Sequence, residues 1–279
     1  MSIDLLLNIR LQLPILVIVF ILGSAIGSFM NAVVYRIPAN LSILWPPSRC
    51  PHCLTRLGMT ENVPVFGWLW LKGRCRHCHQ PISWRYPVVE AATGLLFVAV
   101  FAGYGVSLVT LGYWIFFSWL LALSLIDLDT MTLPNPLTQS GLLLGLGFQW
   151  ILGLGTTFNF SQGVDQLMMG IVGAVIGMWL FEIISLVGSM VFGQPAMGMG
   201  DAKLAAMMGA WLGWKLLLVG SFVACAAGAG TGSVGMALGW LDRRQPLPFG
   251  PFLALGAGVA AVWGEGLIST YLLWFFPPA

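Results

Sequence analysis

Three short stretches hold residues whose types and spacing support chemistry. Gly198-Met199-Gly200-Asp201 sets a carboxylate directly behind two glycines and ahead of the apolar run from Ala202 to Trp214. Hydrocarbon penalises a charge, so an acid at the edge of such a run marks a functional site unless it only caps a helix. The glycines let a neighbouring backbone or substrate approach closely. A second apolar run ends Leu123-Ser124-Leu125-Ile126-Asp127-Leu128-Asp129, five residues before Pro134. At 100° per helical residue the two acids point in nearly opposite directions, so only one of them faces a given partner. A carboxylate at a helix C-terminus also meets the negative end of the helix dipole, and capping explains Asp127 poorly. The third stretch pairs Cys50-Pro51-His52-Cys53 with Cys75-Arg76-His77-Cys78, twenty-one residues apart.

If one acid of the Asp127/Asp129 pair meets Asp201 behind apolar walls, the two carboxyls cannot both ionise and share one proton. That is the arrangement of aspartic peptidases, in which the ionised member activates water and the protonated member polarises the scissile carbonyl. Helix dipoles assign Asp201 as the base and Asp127 as the acid, within a pair that titrates as a unit. The two Cys-x-x-Cys knuckles fit tetrahedral thiolate coordination of Zn²⁺ by Cys50, Cys53, Cys75 and Cys78. A reducing compartment disfavours disulfides at these positions. Four cysteines complete the shell and leave His52, His77 and His79 spare. A closed site is structural rather than catalytic. Cys225, alone in an apolar run, is read as packing.

The elements that must position these residues are membrane helices. The chain of 279 residues is 58% hydrophobic and 8% charged, too few charges for a soluble surface. Outside one short region, no basic, aromatic-interleaved patch points to nucleic acid. The expected fold is an all-α polytopic membrane protein with about eight transmembrane helices and a small cytoplasmic zinc-binding domain between spans 1 and 2. The apolar runs are Leu13 to Val34, Pro87 to Tyr104, Leu108 to Ile126, Leu137 to Leu154, Val164 to Val191, Ala202 to Leu212, Leu216 to Trp240 and Phe249 to Trp274. The Ala202 run falls short of the ~20 residues that a span needs. The first run is too long for a signal-peptide core and is read as a retained span. Glu182 and Glu265, inside apolar runs, are expected to face the bundle interior or water. Three parts follow: residues 1–34 as the first span, 35–86 as the zinc domain and 87–279 as a seven-span domain. Arg36, Arg49, Arg56, Lys72, Arg74, Arg76 and Arg85 in the first loop, with Arg243 and Arg244 later, place those loops in the cytoplasm by the positive-inside rule. Asp127 and Asp201 then emerge on the same face.

At these residues the chain resembles the type IV prepilin peptidases of bacterial inner membranes. The matching pieces are Gly27-Ser28-Phe29-Met30-Asn31 through Arg36-Ile37-Pro38, the two cysteine knuckles, Glu61-Asn62-Val63-Pro64, Lys72-Gly73-Arg74-Cys75, and Ser83-Trp84-Arg85-Tyr86-Pro87 with Glu90. Asp127 seven residues before Pro134, Gly198 to Asp201 with Lys203-Leu204, and Pro248-Phe249-Gly250-Pro251-Phe252 complete the set. The resemblance implies an eight-span aspartic endopeptidase, of the class with a Gly-x-Gly-Asp motif, whose catalytic pair is Asp127 and Asp201. It implies removal of the basic leader from prepilins and pseudopilins after a glycine at the cytoplasmic membrane face. It further implies methylation of the new N-terminus with S-adenosylmethionine, an activity for which the zinc loop is needed. One departure is Pro134-Asn135 where the family has Pro-Asp. Glu90 is expected to pair with Arg85 or to position an amine. Two other classes compete. A presenilin-like intramembrane protease shares Gly-x-Gly-Asp but has a Pro-Ala-Leu motif that is missing here; an ion-coupled transporter places its acids near the midplane and shows internal repeats.

Overall fold

A computed structural model describes residues 3–155, 159–193, 197–240 and 247–275; Asp242, Arg243 and Arg244 lie outside the described residues. The described residues form helices and no strand, with two isolated bridges, Arg49 to Arg56 and Arg74 to Pro81. Apolar segments that cross a bilayer must bond their own backbone groups, which the helix does within one segment. Among the described residues, seven helices are long and apolar enough to span a membrane. The chain divides into two compact units, Met1–Ser118 and Trp119–Ala279, with the division inside α4 (Leu108–Thr130).

In the first unit α1 (Ile3–Arg36) packs along α3 (Arg85–Tyr104). Small residues set their distance: a Cβ at Gly27 would lie 2.8 Å from Glu90 Cα, and one at Gly94 would lie 2.5 Å from the Ser24 hydroxyl. Between the two helices runs an irregular loop with the short α2 (Phe66–Trp70). The Arg36 guanidinium ties the start of this loop to the helix end, donating to the carbonyls of Ile43 at 2.9 Å and Pro46 at 2.6 Å.

The second unit holds the end of α4, α5 (Asn135–Leu154), α6 (Phe160–Phe192), α7 (Met199–Ala237) and α8 (Gly250–Phe275). The expected runs Ala202 to Leu212 and Leu216 to Trp240 both fall in α7, interrupted at Gly213 (φ 71°, ψ 171°), a conformation open essentially to glycine alone. Neighbours show that the chain doubles back there. Gly209 meets Gly173 on α6 and Ala205 meets Gly177, so the first half of α7 runs antiparallel to α6. Beyond the break, Leu216 lies against Gly264, Gly220 against Gly256, and Gly228 against Phe249 at the head of α8. Run straight, Asp201 and Gly228 would stand about 40 Å apart, at 1.5 Å per residue. Both instead lie at the end of the unit that holds Asp127, so the eight expected apolar segments occupy seven helices. The break frees the Trp211 carbonyl, which accepts from the Gln149 side-chain amide at 2.8 Å, while the Trp211 indole donates to the Gly141 carbonyl at 2.8 Å. Glu182 and Glu265 are exposed on their helices, so neither turns into the interior of the unit. Of the two settings expected for them, bundle interior or water, exposure is at odds with the first only; helices with apolar residues on every side give no pattern to say which face is inward.

Candidate functional site

Asp127 and Asp201, 5% and 7% exposed, are the two buried acids among the described residues of the second unit. Helix α4 ends just after Asp127, where Met131 takes a left-handed φ of 51° and its N–H returns to the Asp127 carbonyl at 2.8 Å. The Asp127 side chain crosses to the head of α8, and its Oδ2 accepts the Gly250 backbone N–H at 2.8 Å. A glycine is required there, because a Cβ would lie 2.8 Å from the same oxygen. Asp201 is the third residue of α7, and its carboxylate is hydrogen-bonded by the backbone of Gly198, the residue that caps the helix. The two carboxylates lie within range of each other's charge. Leu133 packs on Gly200, where a Cβ would come 2.9 Å from the leucine, and the Lys203 ammonium donates to the Asn135 side-chain carbonyl at 2.7 Å. These contacts hold the turn after α4 to the first turn of α7. Where the resemblance led us to expect a carboxylate, Asn135 supplies an acceptor and leaves the lysine charge uncompensated at that bond.

Asp129 is exposed while Asp127 is buried, which resolves the choice that helix geometry left open. The dipole argument for unequal roles loses its basis. Asp127 sits at the C-terminus of its own helix, yet its carboxylate rests on the N-terminus of α8, so both acids face a helix N-terminus. Gly250 was not singled out as a site residue in sequence; its signal was its place in Pro248-Phe249-Gly250-Pro251-Phe252, one of the pieces that carry the resemblance.

In the first unit the four cysteine sulfurs all lie within 4.8 Å of one another, with Cys50 to Cys78 at 3.8 Å and Cys53 to Cys75 at 3.9 Å. A tetrahedral ion with metal–sulfur bonds of about 2.3 Å has sulfur–sulfur edges of about 3.8 Å, so the four residues fit Zn²⁺. The knuckles are built alike. The Cys50 N–H reaches the Thr55 carbonyl and the Cys75 N–H the Gln80 carbonyl, while Leu54 and His79 take left-handed φ of 58° and return N–H bonds to Cys50 and Cys75. The repeat was legible as Arg-Cys-x-His-Cys, beginning at Arg49 and again at Arg74. The thiols show what a cation must balance. Hydrogen bonds from Thr55 lower Cys53 to about 6. Cys78 accepts from the Gln80 backbone, yet desolvation and the neighbouring sulfurs raise it to about 11. Four thiolates at this spacing repel, and a central divalent ion removes the repulsion. None of His52, His77 and His79 belongs to the cluster.

Glu90, 9% exposed, accepts the Val65 N–H at 2.7 Å and a hydrogen bond from Ser28. The expected pairing with Arg85 gives way to these bonds, since residues five apart on a helix are about 140° apart around its axis. Glu90 thereby pins the Glu61-Asn62-Val63-Pro64 segment, through Val65, to α3. Glu61 in turn bonds the Gly58 N–H at 2.9 Å and approaches Arg76 at 3.7 Å.

Residues 21–104 match the family described as Bacterial Peptidase A24 N-terminal domain, and residues 114–233 match the Type IV leader peptidase family. Similar curated proteins are named prepilin leader peptidase/N-methyltransferase. One from Aeromonas hydrophila is 36% identical over 91% of this chain and 93% of its own length. Another from Pectobacterium carotovorum is 36% identical over 85% and 88%, and one from Myxococcus xanthus is 40% identical over 67% and 53%. No solved structure matches the chain. The two matched regions fall one mainly in each unit, and the Aeromonas hydrophila relative aligns over about nine-tenths of both chains; the chain belongs to the type IV leader peptidase family.

Proposed function

We propose that this chain is a membrane-embedded aspartic endopeptidase that removes the basic leader from type IV prepilins and pseudopilins and then N-methylates the new terminus. The observation that carries the first activity is the convergence of Asp127 and Asp201. They are 74 residues apart in the chain, both buried, and each is held by a backbone donor at a helix N-terminus. Gly250 occupies one Asp127 oxygen, which leaves the other to share a proton with Asp201. Water adds to the scissile carbonyl carbon as one carboxylate takes its proton, while the protonated partner donates to the carbonyl oxygen. Collapse of the tetrahedral adduct breaks the carbon–nitrogen bond, and the leaving nitrogen takes a proton from the pair. The acids Asp127, Asp129 and Asp201 make this end locally negative, which suits a cationic leader. A glycine before the cut eases unwinding of the substrate helix at the interface.

Cys50, Cys53, Cys75 and Cys78 would hold a structural Zn²⁺ that supplies folding free energy to a loop with few apolar anchors. S-adenosylmethionine is the methyl donor that the second activity requires. Relatives named for both activities support the bifunctional reading over the presenilin-like and transporter alternatives. The bases of the first loop support a cytoplasmic orientation for the cysteine module in a bacterial inner membrane. The test is mass measurement on a prepilin carrying a Gly-Phe junction, incubated with purified enzyme with and without S-adenosylmethionine. Leader loss in both reactions and one added methyl only with the donor are expected; an uncut substrate refutes the proposal.

A further inference from the structure

Residues 35–86 carry seven bases and a single acid, Glu61. Glu61 is engaged with Gly58, Arg76 and His77. Among the described residues no carboxylate pairs with Lys72 or Arg74. These two cations flank a cleft of about 540 Å³ that is also lined by Trp68, Ser83 and Trp84. Its floor is built rather than incidental. The Trp68 indole N–H donates to the Ile82 carbonyl at 3.0 Å, and the Ile82 N–H donates to Gly73 at 2.8 Å. Gly73, at φ 69°, lies flat on the indole, where a Cβ would come within 2.7 Å of the ring. Lys72 holds a left-handed φ of 50° beside it. Trp84 is 69% exposed and immediately precedes the membrane helix α3, where an indole sits at the depth of the lipid headgroups.

We propose that the cleft between Trp68, Lys72, Arg74 and Trp84 seats the phosphate of an anionic phospholipid headgroup. The chemistry selects this ligand. Two unpaired cations ask for an anion, the exposed Trp84 indole suits the glycerol region of a lipid, and the chain position sets the cleft beside the interface. S-adenosylmethionine, with sulfonium and ammonium charges, finds no acid among the lining residues. A basic peptide is excluded by the same charge. The consequence is a fixed depth for the cysteine module, whose second knuckle begins at Arg74 and Cys75.

Native mass spectrometry of the full chain in detergent, titrated with phosphatidylglycerol or phosphatidylcholine, tests the assignment. A Lys or Arg near an anionic headgroup contributes on the order of 5-fold in affinity. Lys72→Gln and Arg74→Gln should each weaken the first phosphatidylglycerol about 5-fold and together about 25-fold, with phosphatidylcholine unchanged. Arg76→Gln removes an equal charge from the loop but outside the cleft and should leave binding as it was. Lys72→Arg with Arg74→Lys should retain it. Zinc content equal to the parent shows that each variant keeps its fold. Equal weakening by Arg76→Gln would mean diffuse attraction and overturns the site. So would parity between the two lipids, competition by soluble glycerol phosphate at the lipid's own concentration, or displacement by S-adenosylmethionine.

Discussion

Gly250→Ala tests the support of the aspartate pair at a single atom. The added Cβ would stand 2.8 Å from Asp127 Oδ2 and 3.1 Å from its Cβ and Cγ, so the carboxylate or the head of α8 must move by about half an ångström. Such a shift stretches the Gly250 N–H bond of 2.8 Å, a bond to a carboxyl worth about 1.5–3 kcal/mol. At 1.36 kcal/mol per decade, losing it costs roughly 10- to 150-fold in rate. The loss should fall on kcat with KM nearly constant, because the bond orients a reacting group rather than the substrate. Alanine is the better helix former by ~0.5–1 kcal/mol, so propensity alone does not unfold the variant. The assay is cleavage of a Gly-Phe prepilin peptide by enzyme in proteoliposomes, with helix content followed by circular dichroism. Gly230→Ala, where nothing lies within 4 Å of the new carbon, is the matched control and should cleave at the parental rate. Parental activity in Gly250→Ala would refute the reasoning that this donor holds Asp127 in place.

Asp127→Asn and Asp201→Asn should each abolish cleavage, whereas Asp129→Asn, an exposed neighbour, should cut within a few-fold of the parent; comparable losses at all three positions on the same peptide would contradict the pairing. Extraction of the metal with a strong chelator, or Cys50→Ser, should unfold the loop and stop methyl transfer while leader cleavage continues, read by mass on one reaction mixture. The same thiol chemistry sets a pH dependence: metal must displace protons, most of all from Cys78 at about 11, so apparent zinc affinity should weaken steeply on acidification, measured by competition with a chromophoric chelator. Gly213→Ala forces a side chain onto φ 71° and should cost about 1–3 kcal/mol, lowering thermal stability and misplacing Asp201; unchanged Tm would show that α7 does not need that reversal.

Hydropathy and local spacing were enough for some features and silent on others. The cysteine cluster was legible because each pair is closed by one tight turn, and a repeated turn needs only local hydrogen bonds. The membrane segments were legible because lipid imposes length and composition on every helix separately. The same uniformity hid how helices meet: an apolar face against lipid and one against protein read alike, so the partners of Glu90 went unseen. Two acids on opposite sides of one helix end were equivalent until packing buried Asp127 and exposed Asp129.

By itself, then, the order of residues determined which groups are available: four sulfurs in two knuckles, acids at the ends of apolar runs, and a string of membrane helices. Only the tertiary structure decided that α7 reverses at Gly213, and that Asp127 is held by a backbone donor from a residue 123 positions further on. Neither outcome has a local cause. Both depend on which helix lies against which, a choice made by small residues that permit close approach and by polar groups that must find a partner once they are withdrawn from water.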